Sequence, residues 1–255
     1  PDWSFRIEEL HAQIDHRTRL ILLNTPHNPT GKMFTRAELA LIAELAIRHD
    51  LLVVTDEVYD RIVFDGNEHI PITMLPGMWD RTLTINSVGK TFSLTGWKIG
   101  YAIGPPWLTN ALRSVHQFVT FATSTPFQVA MAEAIPLAGS NGYYDELLAA
   151  YHQRRAALSI ALDAGGLPVL GTEGSYFLMA SFDHHPFPTD VAFSRWMIEE
   201  IGVTPIPPSA FYLQPESAPR LVRFCFAKQM ETLEEAGRRL LSLQNQPTRL
   251  EAAPR

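Results

Sequence analysis

Residues 89–101 read GKTFSLTGWKIGY, directly after an apolar run at residues 82–86, TLTIN, and a Ser-Val-Gly turn. TLTIN has the length and composition of a buried strand. Lys90 therefore stands just past a strand end, where a lysine is well placed to lose its proton. A neutral amine there can form a Schiff base with an aldehyde cofactor. Ser87 and Lys98 flank Lys90 in the same short window and add a hydroxyl and a second cation.

Upstream, residues 19–24 (RLILLN) form a second apolar run, followed by the Pro/Gly-punctuated loop TPHNPTG at 25–31. Thr35 and Glu38 stand in capping-box spacing and open a helix expected to run to about Asp50, with Leu39, Ile42, Leu45 and Ala46 on one face. Residues 51–55 (LLVVT) make another strand, closed by Asp56 and Glu57. A fourth strand is expected at 97–103, and Pro105-Pro106 open a helix to about Thr120. Apolar strands without alternation, separated by helices, imply an α/β domain with a mostly parallel sheet and helices on both faces. Ligands of such sheets sit at the C-terminal strand ends. Asn28, Asp56 and Lys90 each follow a strand and so converge there.

The second half has a different pattern. Helices are expected at 124–138 and 142–164, the latter stopped by Gly165-Gly166. Strands are expected at 175–182, 203–206 and 221–226, with helices at about 190–201 and 232–243. The reading is two domains: 1–140, the remainder of a large domain, and 141–255, a smaller α+β domain entered by a long helix. The tail from Gln244 to Arg255 is polar and reads as frayed.

Bulk composition excludes several classes. The chain has 255 residues, 46% of them apolar, and a net charge of −6, which argues against a basic nucleic-acid-binding face. A single cysteine, Cys225, allows no intrachain disulfide and suits a reducing compartment. No apolar run reaches the roughly 18 residues of a membrane-spanning helix. No leader-like start stands in the given sequence, which favours the cytoplasm only where Pro1 is the natural start. His184-His185 reads as a surface loop, and no metal site is expected.

The strand-end residues match one cofactor chemistry. Pyridoxal phosphate (PLP) needs a carboxylate on its ring nitrogen, and Asp56 closes an apolar strand; the same position equally suits a helix N-cap. Tyr59 is placed to reach the ring's phenolic oxygen, or to be a core aromatic with a satisfied hydroxyl. Asn28 can donate to the same oxygen, or serve the turn alone. Ser87 and Lys98 suit the phosphate, although Lys98 also fits an exposed strand position. Arg223 interrupts the apolar run LVRFCF at 221–226, so it must be paired or face a cavity. It suits the α-carboxylate of an amino acid. Arg220, just outside the run, reads as solvated.

Four motifs in order carry a family resemblance: NTPHNPTG at 24–31, VTDEVYD at 54–60, SVGKTFSLTGWKIGY at 87–101 and VRFCFAK at 222–228. The chain resembles a class I/II aminotransferase of PLP-dependent fold type I over nearly its whole length. Lys98, where many relatives carry Arg, and the run VHQFVTFATSTPFQ at 115–128 are similar to the methionine, kynurenine and glutamine transaminases. The resemblance implies that Lys90 binds the cofactor covalently and shuttles the proton of the substrate α-carbon. It implies that Asp56 pairs with the pyridine nitrogen, Tyr59 and Asn28 bond the phenolic oxygen, Ser87 and Lys98 hold the phosphate, and Arg223 holds the substrate carboxylate. It further implies a cis Asn28–Pro29 bond and a homodimer with residues 121–125 near the partner's site. The implied reaction moves an amino group from a methionine-, aromatic- or glutamine-like amino acid to a 2-oxo acid.

Relatives carry a longer N-terminal portion with a Gly/Ala-rich phosphate-binding helix start, an aromatic residue stacked on the ring and further sheet strands. No Gly-rich phosphate loop stands in this sequence. The chain is therefore read as a piece of a full enzyme or a truncated product, with unpaired sheet edges and weak PLP binding. The alternative readings are a carbon–sulfur β-lyase using the same contacts and a catalytically impaired remnant of the fold.

Overall fold

A computed structural model of the chain describes residues 3–4 and 6–245. Most of the polar tail expected to fray, residues 246–255, lies outside the described residues. The elements run α1 (Ile7–Ala12), β1 (Leu20–Asn24), α2 (Arg36–Arg48), β2 (Leu52–Asp56), β3 (Thr82–Ser87), α3 (Val88–Thr91), β4 (Gly100–Ile103), α4 (Pro106–Val119), α5 (Thr125–Ala138) and α6 (Tyr143–Ala164). They continue with β5 (Val169–Leu170), β6 (Phe177–Ser181), α7 (Asp190–Trp196), β7 (Leu221–Cys225) and α8 (Met230–Leu240). The chain divides into two compact units. The first comprises residues up to Asn28, Lys32–Leu148 and Glu173–Ser175; the second takes Pro29–Gly31, Ala149–Thr172 and the residues from Tyr176 on.

In the first unit β1, β2, β3 and β4 form one sheet in that order. The β1–β2 and β2–β3 pairs are parallel, and β4 returns antiparallel to β3. Thr35 caps α2 as its sequence requires: its hydroxyl accepts from the Glu38 amide while the Glu38 carboxylate accepts from the Thr35 amide. Leu39, Ile42, Ala43 and Ala46 of α2 then pack on Ile21 and Leu23 of β1 and Val53 of β2. Burial of each large aliphatic side chain here contributes about 1.5–3 kcal/mol. β1 is apolar from Leu20 to Leu23, yet its burial alternates, with Ile21 and Leu23 inside while Leu22 is 71% exposed.

The fourth strand starts later than its apolar sequence suggests. Thr95–Trp97 form a 3-10 turn and Lys98 adopts a left-handed conformation, φ 57°, so pairing begins at Gly100. A reversal of the chain is needed before β4 can run antiparallel, and the turn supplies it. The cis peptide expected at Asn28–Pro29 is found instead at Thr25–Pro26.

In the second unit β5, β6 and β7 form an antiparallel sheet. Phe182, Phe193, Phe226, Leu162, Leu167 and Leu178 are fully buried in its core. Gly166, φ 80°, ends α6 with the Leu167 amide bonded back to the Leu162 carbonyl, as a glycine helix stop requires. The strand expected at 203–206 is only a single bridge from Ile206 to Arg223. Pro205 and Pro207 flank Ile206 and have no amide hydrogen to extend the ladder.

Candidate active site

Parallel pairing puts three strand ends side by side. Asn24 lies opposite Asp56, and Asp56 opposite Ile85, two residues before the β3 terminus at Ser87. This C-terminal edge is where α/β sheets hold ligands, and six expected residues, Asn28, Asp56, Tyr59, Ser87, Lys90 and Lys98, lie on the segments leaving it.

Lys90 sits in the single turn of α3. Ser87 caps that turn, its hydroxyl accepting from the Gly89 amide at 3.3 Å. The Lys90 Nζ lies 5.7 Å from the centre of the Tyr59 ring, and Tyr59 itself is buried. Asp56 is half-buried and accepts from the Val58 amide at 3.2 Å. Burial pushes its carboxyl above the usual carboxylate range; the Val58 amide and the Lys90 charge act against this, and the Glu57 charge adds to it. The Lys90 charge thus favours the ionised form of Asp56.

Asn28 is held by a residue the sequence reading passed over. Asn24 donates its side-chain amide to the Asp56 carbonyl at 3.1 Å and accepts from the Asn28 amide at 2.8 Å. It ties the Asn-Pro loop to the β2 terminus. Asn86 does similar work on β3: it is buried, accepts from the Ser87 amide at 2.7 Å and bonds the Asp60 carboxyl. The signal was present in both cases, an asparagine ending an apolar run, but its partner is set by strand register.

Lys98 is exposed, in the turn before β4 rather than in the strand. Its left-handed backbone is uncommon for a non-glycine residue and is of the strained kind that occurs at ligand sites. Arg223, in the second unit, exchanges both backbone hydrogen bonds with Ile206, and its guanidinium lies 4.2 Å from the Phe177 ring centre and 5.5 Å from that of Phe211. Arg220 is not a free surface charge. It donates to the carbonyls of Phe187 and His185 at 2.8 Å, pairs with Asp183 at 3.2 Å and stacks 4.5 Å over Phe182. Those contacts close the loop after β6. His185 packs its ring 5.1 Å from Phe193 in the same region.

The strand-end set in the first unit fits a phosphorylated pyridine aldehyde by donor chemistry: an amine for the aldehyde, an acid for the ring nitrogen, a phenol and an amide for the ring oxygen, and a hydroxyl with a cation for phosphate.

Comparison with known proteins points to one family. The family model described as aminotransferase class I and II matches residues 1–240. Kynurenine–oxoglutarate transaminase 3 of Rattus norvegicus is 42% identical over 252 residues, covering 92% of this chain and 55% of that protein. The structure of N-succinyldiaminopimelate aminotransferase from Mycobacterium tuberculosis superimposes with a TM-score of 0.89 at 39% identity, over 94% of this chain and 62% of that one. An Escherichia coli protein, YbdL, identified with a methionine aminotransferase function, matches with TM-score 0.89 at 36% identity, over 95% and 63% of the two chains. The chain thus spans less than two thirds of each of these proteins. The family is PLP-dependent in general. With a match from residue 1 to residue 240 and a shared α/β architecture, this chain belongs to the class I and II aminotransferases of fold type I.

Proposed function

We propose that this chain carries the lysine and ring-binding residues of a PLP-dependent transaminase, moving an amino group from a methionine-, aromatic- or glutamine-like amino acid to a 2-oxo acid. The observation that carries it is the set Asp56, Tyr59 and Lys90 at the C-terminal edge of the parallel strands, with Lys90 Nζ 5.7 Å from the Tyr59 ring. PLP, when bound, supplies an electron sink for the carbon that loses its proton. Asp56 pairs with the ring nitrogen, a partner whose charge offsets the burial that opposes its ionisation. Lys90 would anchor the cofactor and would be the base that takes and returns the proton at the substrate α-carbon. Tyr59 and Asn28 bond the ring oxygen. Ser87 and Lys98 take the phosphate, and Arg223 clamps the substrate carboxylate.

In this reading the first unit corresponds to the large, PLP-binding domain and the second to the small C-terminal domain. A homodimer is the proposed assembly, supported by the exposed apolar side chains of Phe118, Val119 and Phe121 at the end of α4. The proposed compartment is the cytoplasm, supported by the free Cys225. No helix among the described residues is long and apolar enough to cross a membrane.

The test is covalent capture. PLP is added, the mixture is reduced with borohydride and the peptides are weighed. A pyridoxyl mass on the Lys90 peptide, absent from Lys90→Ala, is expected. Labelling spread over surface lysines overturns the reading. Release of pyruvate and ammonia from a cysteine conjugate, with no amino transfer from methionine, replaces it with the β-lyase.

A further inference from the structure

Asp56 is followed by a second carboxylate that the mechanism above leaves unused. Glu57 is 3% exposed, and its amide donates to the Ile85 carbonyl of β3 at 2.9 Å. Its carboxylate accepts from the Thr55 hydroxyl at 3.2 Å and meets His69 Nε2 at 2.8 Å. The His69 side chain is only 9% exposed, and its Nδ1 is buried with no hydrogen-bond partner among the described residues. A buried acid costs free energy unless paired, and a buried imidazole with one nitrogen bare is itself an unmet demand. Such a pair so close to the site calls for a role.

We propose that Glu57 and His69 form a buried proton-sharing pair that sets the charge felt by Asp56, which makes both of them positioning residues for the cofactor-facing acid. The functional meaning rests on the reading above; the electrostatics do not. One proton occupies the Nε2···Oε2 contact, so Nδ1 is the atom through which the pair changes charge. With Nδ1 protonated the pair is neutral; with it bare, a full negative charge sits one residue from Asp56. Burial raises the Asp56 carboxyl and Glu57 raises it further, against the Val58 amide and Lys90 of α3. Around the pair stand Asp60, also raised by burial and bonded to Asn86, together with Arg61, and Tyr101 of β4, whose phenol feels Asp60 and Glu57. Arg61 and Lys90 are the basic side chains named in this group, against the three carboxylates Asp56, Glu57 and Asp60, so the position of one proton on the histidine alters the balance around Asp56.

The two conservative variants separate charge from scaffolding. Glu57→Gln keeps an acceptor for His69 and removes the charge. His69→Gln keeps a donor for Glu57 and removes the group able to take up a proton. The readout is the side-chain carboxyl ¹³C signal of Asp56 followed against pH in the full chain, assigned by its loss in Asp56→Asn. The midpoint is expected to move to lower pH in Glu57→Gln and to higher pH in His69→Gln. Movement of both in one direction, or failure of either to move as stated, overturns the proposal. Thermal melts identify a variant that fails to fold. In that event the wild-type chain decides: the Asp56 signal is expected to show an inflection where the His69 ring nitrogens titrate, and a curve without one overturns the proposal. Borohydride capture at Lys90 is measured alongside. Opposed shifts without capture sink the transaminase reading and leave the pair standing; capture without opposed shifts does the reverse.

Discussion

Gly174→Ala tests whether the loop bearing Asn28 is held by backbone packing. Gly174 forms a bridge to Val63, and a Cβ added there would lie 2.6 and 2.9 Å from Cβ and Cγ of Pro26 and 3.2 Å from the Ile62 carbonyl oxygen. Favourable carbon contacts begin at about 3.5 Å, so the closest overlap is roughly 0.9 Å. Neither side yields easily. The proline ring cannot rotate away. The Gly174 segment is pinned by the Phe64 amide to the Glu173 carbonyl at 2.8 Å, the Ser175 amide to the Ile62 carbonyl at 2.9 Å and the Met33 amide to the Glu173 carboxylate at 2.8 Å. Overpacking of this kind costs about 1–3 kcal/mol. At about 2–4 °C per kcal/mol for a chain of this size, Tm falls by roughly 2–12 °C. Gly96→Ala is the control, because nothing lies within 4 Å of its added Cβ. It should stay within about 0.5 kcal/mol. Differential scanning calorimetry reads the melts, and amide NMR shifts of Asn24 and Asn28 read the loop. A Gly174→Ala chain that melts with wild type and leaves those amides unmoved refutes the packing argument.

Burial raises the Asp60 carboxyl, so the folded chain holds that proton to higher pH than the unfolded chain does. Stability therefore falls as pH rises from the unfolded to the folded value. Asp60→Asn removes this loss, and its Tm should exceed wild type at neutral pH, with the gain vanishing in acid below the ordinary carboxylate range; an equal gain at both pH values would contradict the assignment. Thr35→Ala removes the hydroxyl half of the α2 capping box and should cost about 0.5–2 kcal/mol in urea unfolding followed by circular dichroism, whereas an unchanged midpoint would show that the cap is idle. Arg223→Lys replaces a planar two-pronged donor by a point charge. In transamination assays it should raise KM for methionine roughly 10- to 100-fold, the loss of one charged hydrogen bond, and an unchanged KM removes Arg223 from substrate binding.

Legibility in the sequence followed distance along the chain. The α2 capping box, the glycine stop of α6 and the strands ending at Asn24, Asp56 and Ser87 depend on residues within a few positions of one another, and they stand within a residue or two of where the pattern puts them. The failures have local causes too. The 203–206 segment has apolar ends but carries Pro205 within it and Pro207 just after it, and Trp97 looked like a strand start because a left-handed Lys98 leaves no hydrophobic signature.

By itself the sequence determined most of the order of elements, where Lys90, Asp56 and Arg223 stand in it, and the family, because hydrophobic period, turn residues and motif spacing are written locally. Tertiary structure alone decided the antiparallel return of β4, the alignment of Asn24 with Asp56, the meeting of Gly174 with Pro26 and the contact of Glu57 with His69. Each of these depends on register or on packing between separated segments, and neither quantity is encoded in any one stretch of chain.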